Sequence, residues 1–152
     1  MALQFTKTNS SNPDYQALIK LLDTYLLEKD GDEHDFFAQF NQSDNIKNII
    51  VVYENDIAVA CGAIKEYSSD TMEVKRMYVQ PEVRGKGIAS MILNELETWA
   101  KDLGYTETIL ETNRSMQNAI DLYLKNGYKI IENYGQYIGV ANSVCMGKRI
   151  TP

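Results

Sequence analysis

The chain has 152 residues, a formal net charge of −6 and a hydrophobic content of 44%. That length lies near the commonest domain size and the apolar content supplies a sizeable core, so one domain over residues 1–152 is expected. The acidic balance argues against nucleic acid as a partner, and the absence of any apolar run near the roughly 20 residues that span a bilayer argues against a membrane span.

Residues 3–7 alternate weakly and predict a first strand. Ser11-Asn12-Pro13-Asp14 offers a capping residue, a proline in the first turn and an acid, which together start a helix. Tyr15, Leu18, Ile19, Leu22, Tyr25 and Leu26 then fall on one helical face. Asp30-Gly31-Asp32-Glu33 breaks it, and a short second helix is expected from His34 to Phe40, with Phe36, Phe37 and Phe40 as its apolar residues. Residues 48–53 and 57–64 read as strands around a turn at Glu54-Asn55-Asp56. A second turn at Ser68-Ser69-Asp70 leads into a strand from Thr71 to Val79, which Pro81 ends because it cannot donate to a ladder. These three strands predict an antiparallel meander. A long helix follows, with Ile88, Met91, Ile92, Leu96, Trp99, Ala100 and Leu103 at helical spacing and Gly104 as its left-handed cap. Residues 107–112 predict a strand running into Asn113-Arg114-Ser115, and residues 116–126 a helix stopped by Gly127. Two final strands, 128–132 and 143–150, flank a Tyr- and Gly-rich segment.

Between the strand and the long helix lies Arg84-Gly85-Lys86-Gly87-Ile88-Ala89. A helix start exposes unpaired N–H groups and the positive end of the dipole. Glycines in front of it let the backbone approach an anion, and Arg84 and Lys86 add formal charge at the same place. The chemistry suited to this loop is phosphate or pyrophosphate binding. The spacing is neither the dinucleotide GxGxxG nor GxxxxGK[ST].

Arg84-x-x-Gly87-x-Ala89 resembles the Q/R-x-x-G-x-G/A motif of the GNAT superfamily of N-acetyltransferases. Asn118-Ala119-x-x-Leu122-Tyr123-x-x-x-Gly127-Tyr128 resembles a second signature of that family, N-A-x-x-L-Y-x-x-x-G-F, departing only at Tyr128. The order β-α-α-β-β-β-α-β-α-β-β also matches, so the resemblance covers nearly the whole chain. It implies an α/β (mixed α+β) GNAT fold: a mostly antiparallel mixed sheet of about seven strands, split into a V between strands 4 and 5 and flanked by about four helices. Acetyl-CoA, as co-substrate, is expected in that opening.

The same resemblance assigns roles. Gly85 and Gly87, with the N–H groups from Arg84 through Lys86, Ile88 and Ala89 to Ser90, are expected to hold the pyrophosphate. Val79 is expected to pair its backbone with the pantetheine amides as an added strand, with Met77 and Tyr78 beside it and a backbone N–H near Val79 as oxyanion donor. Asn113 and Asn118 are expected to contact the pantetheine arm or order a water, rather than only to cap turns. Glu73 is the candidate general base, with Glu111 and Glu66 as rivals; strand alternation places Glu73, Lys75, Met77 and Val79 on one face. Tyr123 is the candidate acid for the departing thiolate. Tyr134 and Tyr137 either line the acceptor pocket or cover the sheet.

The acids Asp23, Glu28, Asp30, Asp32, Glu33 and Asp35 occupy the region that walls the acceptor site in the family, which suggests a cationic small-molecule amine. A non-catalytic acyl-CoA-binding module and a protein-lysine acetyltransferase are the alternatives on the same fold. The single His34 and the scattered Cys61 and Cys145 form no metal-ligand pattern, so no metal is expected. Both cysteines read as core thiols of a reduced, cytoplasmic protein, since the first residues lack the regions of a signal peptide. Dimers are common in the family, and the final strands would serve as the interface of a homodimer.

Overall fold

Asn12 begins the first helix by accepting the Tyr15 N–H on its side chain at 3.0 Å, with Pro13 at the first helical position. The computed structural model describes residues 2–38 and 46–152. The strands are β1 (Leu3–Thr8), β2 (Asn48–Glu54), β3 (Ile57–Glu66), β4 (Thr71–Val79), β5 (Glu107–Asn113), β6 (Lys129–Ile131) and β7 (Ser143–Arg149). The helices are α1 (Pro13–Asp30), α2 (His34–Ala38), α3 (Ile88–Asp102) and α4 (Gln117–Lys125). The second helix expected as far as Phe40 ends at Ala38 among the described residues; Phe40 itself lies outside them.

Among the described residues, the seven strands form one sheet in the order β1-β2-β3-β4-β5-β7-β6. Every pairing is antiparallel except β4 with β5, which is parallel and holds for Thr71 to Glu73 against Glu107 to Ile109. There the ladder ends and the two strands diverge, giving the V-shaped split. Asn55 and Asp56 both take positive φ, 52° and 66°, closing the β2–β3 hairpin in the left-handed region that tight hairpins need.

The two faces of the sheet carry separate cores. On one, Ile88, Ile92, Leu93, Leu96 and Ala100 of α3 and Ile120 and Tyr123 of α4 pack on Ile50, Val52, Ile64, Met72, Val74 and Leu110. On the other, Tyr15, Leu18, Ile19 and Leu22 of α1 pack on Ile49, Val51, Cys61, Ala63 and Tyr78. Burying either set removes a large apolar area from water and holds both helix layers on the sheet.

β4 does not alternate throughout. The register jumps from Cys61↔Tyr78 to Ala63↔Lys75, so three residues of β4 span two steps of β3, and Arg76 sits in the bulge with φ 57°. Met72 and Val74 before the bulge, and Met77 and Val79 after it, all face α3, whereas Tyr78 joins the α1 side and Arg76 reaches Asp23 of α1. The expectation that Glu73, Lys75, Met77 and Val79 share a face is therefore corrected. The extra residue reverses the parity and puts Glu73 and Lys75 on the opposite face from Met77 and Val79. Gly62 stands across from the bulge. A Cβ there would lie 2.6 Å from Met77 Sδ and 2.7 Å from Ile92 Cγ2, so glycine is what lets α3 and the bulged strand close on β3.

Tyr128, where the family pattern has Phe, uses its hydroxyl. It donates to Glu97 Oε2 at 3.0 Å and lies 2.9 Å from Thr108 Oγ1, and Lys148 Nζ donates to Glu97 Oε1 at 2.7 Å. Glu97 is buried on α3, so its carboxylate depends on these donors. Tyr128→Phe should destabilise the fold by about 1–3 kcal/mol, the usual effect of taking a donor from a buried charged acceptor. A urea titration with a lower midpoint at unchanged slope is the expected result.

Candidate active site

A cavity of about 520 Å³ opens where β4 and β5 part. One flank is made by the α3 start and α4: Gly85, Gly87, Ile88, Ala89, Ser90, Asn118, Ala119, Leu122 and Tyr123. The opposite flank is made by Leu22, Tyr25 and Leu26 of α1, Phe37 of α2 and Tyr137 from the β6–β7 connection. Between them lie Glu73, Val74, Lys75, Arg76, Met77, Tyr78 and Val79 of β4 and Glu111, Thr112 and Asn113 of β5.

At the α3 start, Gly87 is the N-cap with φ 80°, and no side chain caps the helix. The first N–H groups are thus left for an external acceptor. Gly85 also has positive φ, 82°, and a Cβ built there would meet nothing within 4 Å, so this side of the loop is open to a ligand. Arg84 departs from expectation. Its Nε donates back to the Val79 carbonyl at 2.8 Å, and its guanidinium lies 5.4 Å from the Tyr25 ring and 5.8 Å from the Tyr78 ring. Its charge is drawn to the end of β4 rather than held over the loop. Lys86 is exposed and outside the cavity lining.

At the vertex of the split, Glu73 is the last β4 residue paired with β5. It is buried; the Tyr134 hydroxyl donates to its Oε2 at 2.6 Å, and Lys75 Nζ lies 3.8 Å from its Oε1. Burial lowers the Lys75 pKa, while the neighbouring Glu73 and Glu111 charges push it back up. Burial, followed by the charge of Glu73 and the hydrogen bond to it, raises the Tyr134 pKa far above that of a free phenol, so Tyr134 stays a neutral donor. Glu111 lines the cavity and accepts the Ser143 hydroxyl at 2.8 Å. Glu66 does not join them: it is exposed and accepts the Tyr105 hydroxyl away from the cavity, so it is withdrawn as a rival base.

Tyr123 is buried, and its ring meets Tyr128 edge-on at 5.9 Å. Burial, with a smaller push from the Glu111 charge, raises its pKa to about 12. Asn118 is exposed at the cavity rim. Asn113 also lines the cavity, but its side-chain oxygen is already used, accepting the Ser115 N–H at 2.9 Å to close a turn. Tyr134 and Tyr137, left between two roles by the sequence, pack together at 5.8 Å with Tyr137 on the cavity wall. Cys61 and Cys145 are free and buried, with pKa values raised to about 12 and about 11 by burial, which keeps both thiols protonated and inert.

Among the described side chains, the acids expected to wall the acceptor site do not; that of Asp30 lies outside the described residues. Asp23 turns to Arg76 at 2.5 Å, Glu33 is bonded by Asn142, and Glu28, Asp32 and Asp35 lie outside the lining. α1 and α2 present their apolar faces to the cavity because those faces are what the sheet buries.

The model of the Acetyltransferase (GNAT) family matches residues 15–128. The chain belongs to this family. It is 33% identical over 123 residues to the IAA acetyltransferase of Azospirillum brasilense, covering 79% of this chain and 80% of that one. The chain spans 50% of the length of an N-acetyltransferase of Schizosaccharomyces pombe and 51% of one from Escherichia coli that it also matches. Among solved structures, an inferred acyl-CoA N-acyltransferase from Klebsiella pneumoniae superposes with a TM-score of 0.82 at 26% identity, with 98% of each chain covered. A GNAT family acetyltransferase from Elizabethkingia anophelis, solved with acetyl-CoA bound, gives 0.69 at 16% identity, covering 97% of each chain, and so shares the fold. Among the described residues, no helix of this GNAT chain is long and apolar enough to cross a membrane, and no three His, Cys, Asp or Glu side chains gather as a metal site.

Proposed function

We propose that this chain is an N-acetyltransferase that moves an acetyl group from acetyl-CoA to a small primary amine held beside it. The observation that carries the reading is that one cavity joins the uncapped α3 start to the Glu73–Glu111 floor. The first anchors an anion and the second handles a proton, as a two-substrate reaction with direct attack requires.

In this reading the N–H groups from Gly85 to Ser90 bind the pyrophosphate. The edge of β4 at Met77–Val79, on the α3 side, orients the pantetheine arm. Arg76 and Met77 have no Cα partner on β3, so the bulge disturbs the ladder there, and a backbone N–H between the bulge and Val79 serves as the oxyanion donor for the thioester. Glu73, held by Tyr134 and Lys75 on the α1 side, takes the proton from the amine. The nitrogen forms the new N–C bond, the C–S bond breaks, and the second proton that the nitrogen sheds goes to the departing sulfur, whose thiolate faces the Tyr123 hydroxyl as it leaves.

The test is calorimetry with acetyl-CoA. Gly87→Asp would put a carboxylate beside the phosphates at a left-handed position that Asp tolerates. It should weaken binding by about tenfold or more, the scale of one adverse charge at a desolvated helix start. A folded Gly87→Asp protein with unchanged affinity would remove the pyrophosphate from this loop.

A further inference from the structure

Arg76 stands in the β4 bulge with φ 57°, a left-handed position that a long side chain rarely takes and that persists only where its surroundings hold it. Its side chain is 1% exposed, and its buried Nε has no partner among the described residues. A guanidinium so dry needs a carboxylate. Nη2 finds one on Asp23 of α1, at 2.5 Å. The Arg76 carbonyl is held as well, because the protonated Cys61 thiol donates to it at 3.4 Å. The peptide that follows is trans, so the Met77 N–H points away from Cys61. Asp23 itself lies outside the cavity lining, its side chain 57% exposed, while Leu22 and Tyr25 of the same helix line the cavity.

We propose that Asp23 is a positioning residue for acetyl transfer: through Arg76 it fixes the β4 bulge, and with it the backbone N–H that faces the thioester oxygen. This deepens the acetyl-transfer reading and rests on it. A bulge carries an extra residue outside the ladder, so the sheet alone does not set the direction of its peptides. An oxyanion donor helps only if it is aimed before charge develops. The charge-assisted bond from Asp23 supplies that aim from outside the cavity. A bond that served only to dock α1 on the sheet would not need its cation on the left-handed residue of β4. The strap also runs from the helix of the acceptor flank to the strand of the cofactor edge, so both substrates meet across one fixed link.

The experiment binds acetyl-CoA, isotope-labelled at the thioester carbonyl, and reads the carbonyl stretch by difference infrared spectroscopy. The bound thioester gives its own band, so unfolded molecules do not shift it. An aimed donor polarises the carbonyl, and the wild-type band should lie below that of acetyl-CoA in water. Asp23→Ala should recover at least half of that displacement. Arg76→Gly, which takes φ 57° without strain and leaves no buried charge, should recover as much, and the double variant no more than Arg76→Gly alone. Affinity for acetyl-CoA by calorimetry should change less than about threefold, since the α3 start is untouched. If Asp23→Ala does not fold, Arg76→Gly decides. A band that stays at the wild-type position in either folded single variant, or that moves further in the double variant, overturns the strap and leaves acetyl transfer standing. A wild-type band no lower than in water overturns the oxyanion donor and the strap together. A folded wild type that binds no acetyl-CoA overturns the acetyl-transfer reading as well.

Discussion

Glu73→Gln is expected to lower kcat by about 10² to 10⁴, the usual worth of general-base catalysis. The variant keeps volume and the acceptor for the Tyr134 hydroxyl, so the 2.6 Å contact survives in kind. What it removes is the charge that both takes the proton and accompanies Lys75 at 3.8 Å. An alkylamine near pKa 10 is almost wholly protonated at neutral pH, so some group must take its proton before nitrogen can attack. The deficit should therefore shrink as pH approaches 10, because solvent then supplies the free amine. Acetyl-CoA affinity should change little, since Glu73 lies on the α1 side of β4 while Met77 and Val79 face α3. Steady-state rates from pH 6.5 to 9.5 measure this. Near wild-type turnover across that range would move the base to Glu111, whose carboxylate also lines the cavity.

Tyr123→Phe is expected to lower kcat by about 10- to 1,000-fold, within or just under the range for proton-transfer catalysis. Phenylalanine keeps the edge-on contact with Tyr128 and deletes only the hydroxyl. With its pKa raised to about 12 by burial, the phenol is neutral at every working pH and always has a hydrogen to donate. It is also a weaker acid than free tyrosine, roughly three to four units above a thiol of pKa near 8.5, so its contribution is a hydrogen bond to the thiolate more than full transfer. The sign follows for the pH profile. Tyr123 loses its proton only on passing about 12, so the wild-type to Tyr123→Phe ratio should stay flat from pH 7 to 10. A fully active Tyr123→Phe enzyme would leave this residue packing alone.

Much of the fold was legible because each element carries its own signal. The α1 start at Asn12-Pro13 and most of the α3 face, Ile88, Ile92, Leu96 and Ala100, are local patterns that the structure repeats, although Met91 is exposed and Leu93 is buried in its stead. The β4 bulge depends on a partner strand and on Gly62, and it was misread as simple alternation. A trace was present: the apolar positions move from Met72 and Val74 to Met77 and Val79, from even to odd, which an unbroken strand would not do. The Arg84 fold-back to Val79 and the Asn113 turn are side-chain choices between an unseen ligand and nearby backbone, and motif spacing does not decide them. The family resemblance puts the acidic run from Asp23 to Asp35 at the acceptor wall. Helical geometry instead gives the cavity the intervening apolar face. Glu97 had no signal of its own, since its role rests on donors far along the chain: Tyr128, which Thr108 meets in turn, and Lys148.

The central claim is that acetyl-CoA and an amine occupy this one cavity together and react directly. Initial rates of thiol release with both substrates varied, run beside mass spectrometry of the product and the protein, test it most directly. The account predicts amine-dependent release, reciprocal plots that intersect, an acetylated amine and no acetylated enzyme intermediate. Parallel plots with a stoichiometrically acetylated protein, or no amine dependence from a folded protein that binds acetyl-CoA, would contradict it.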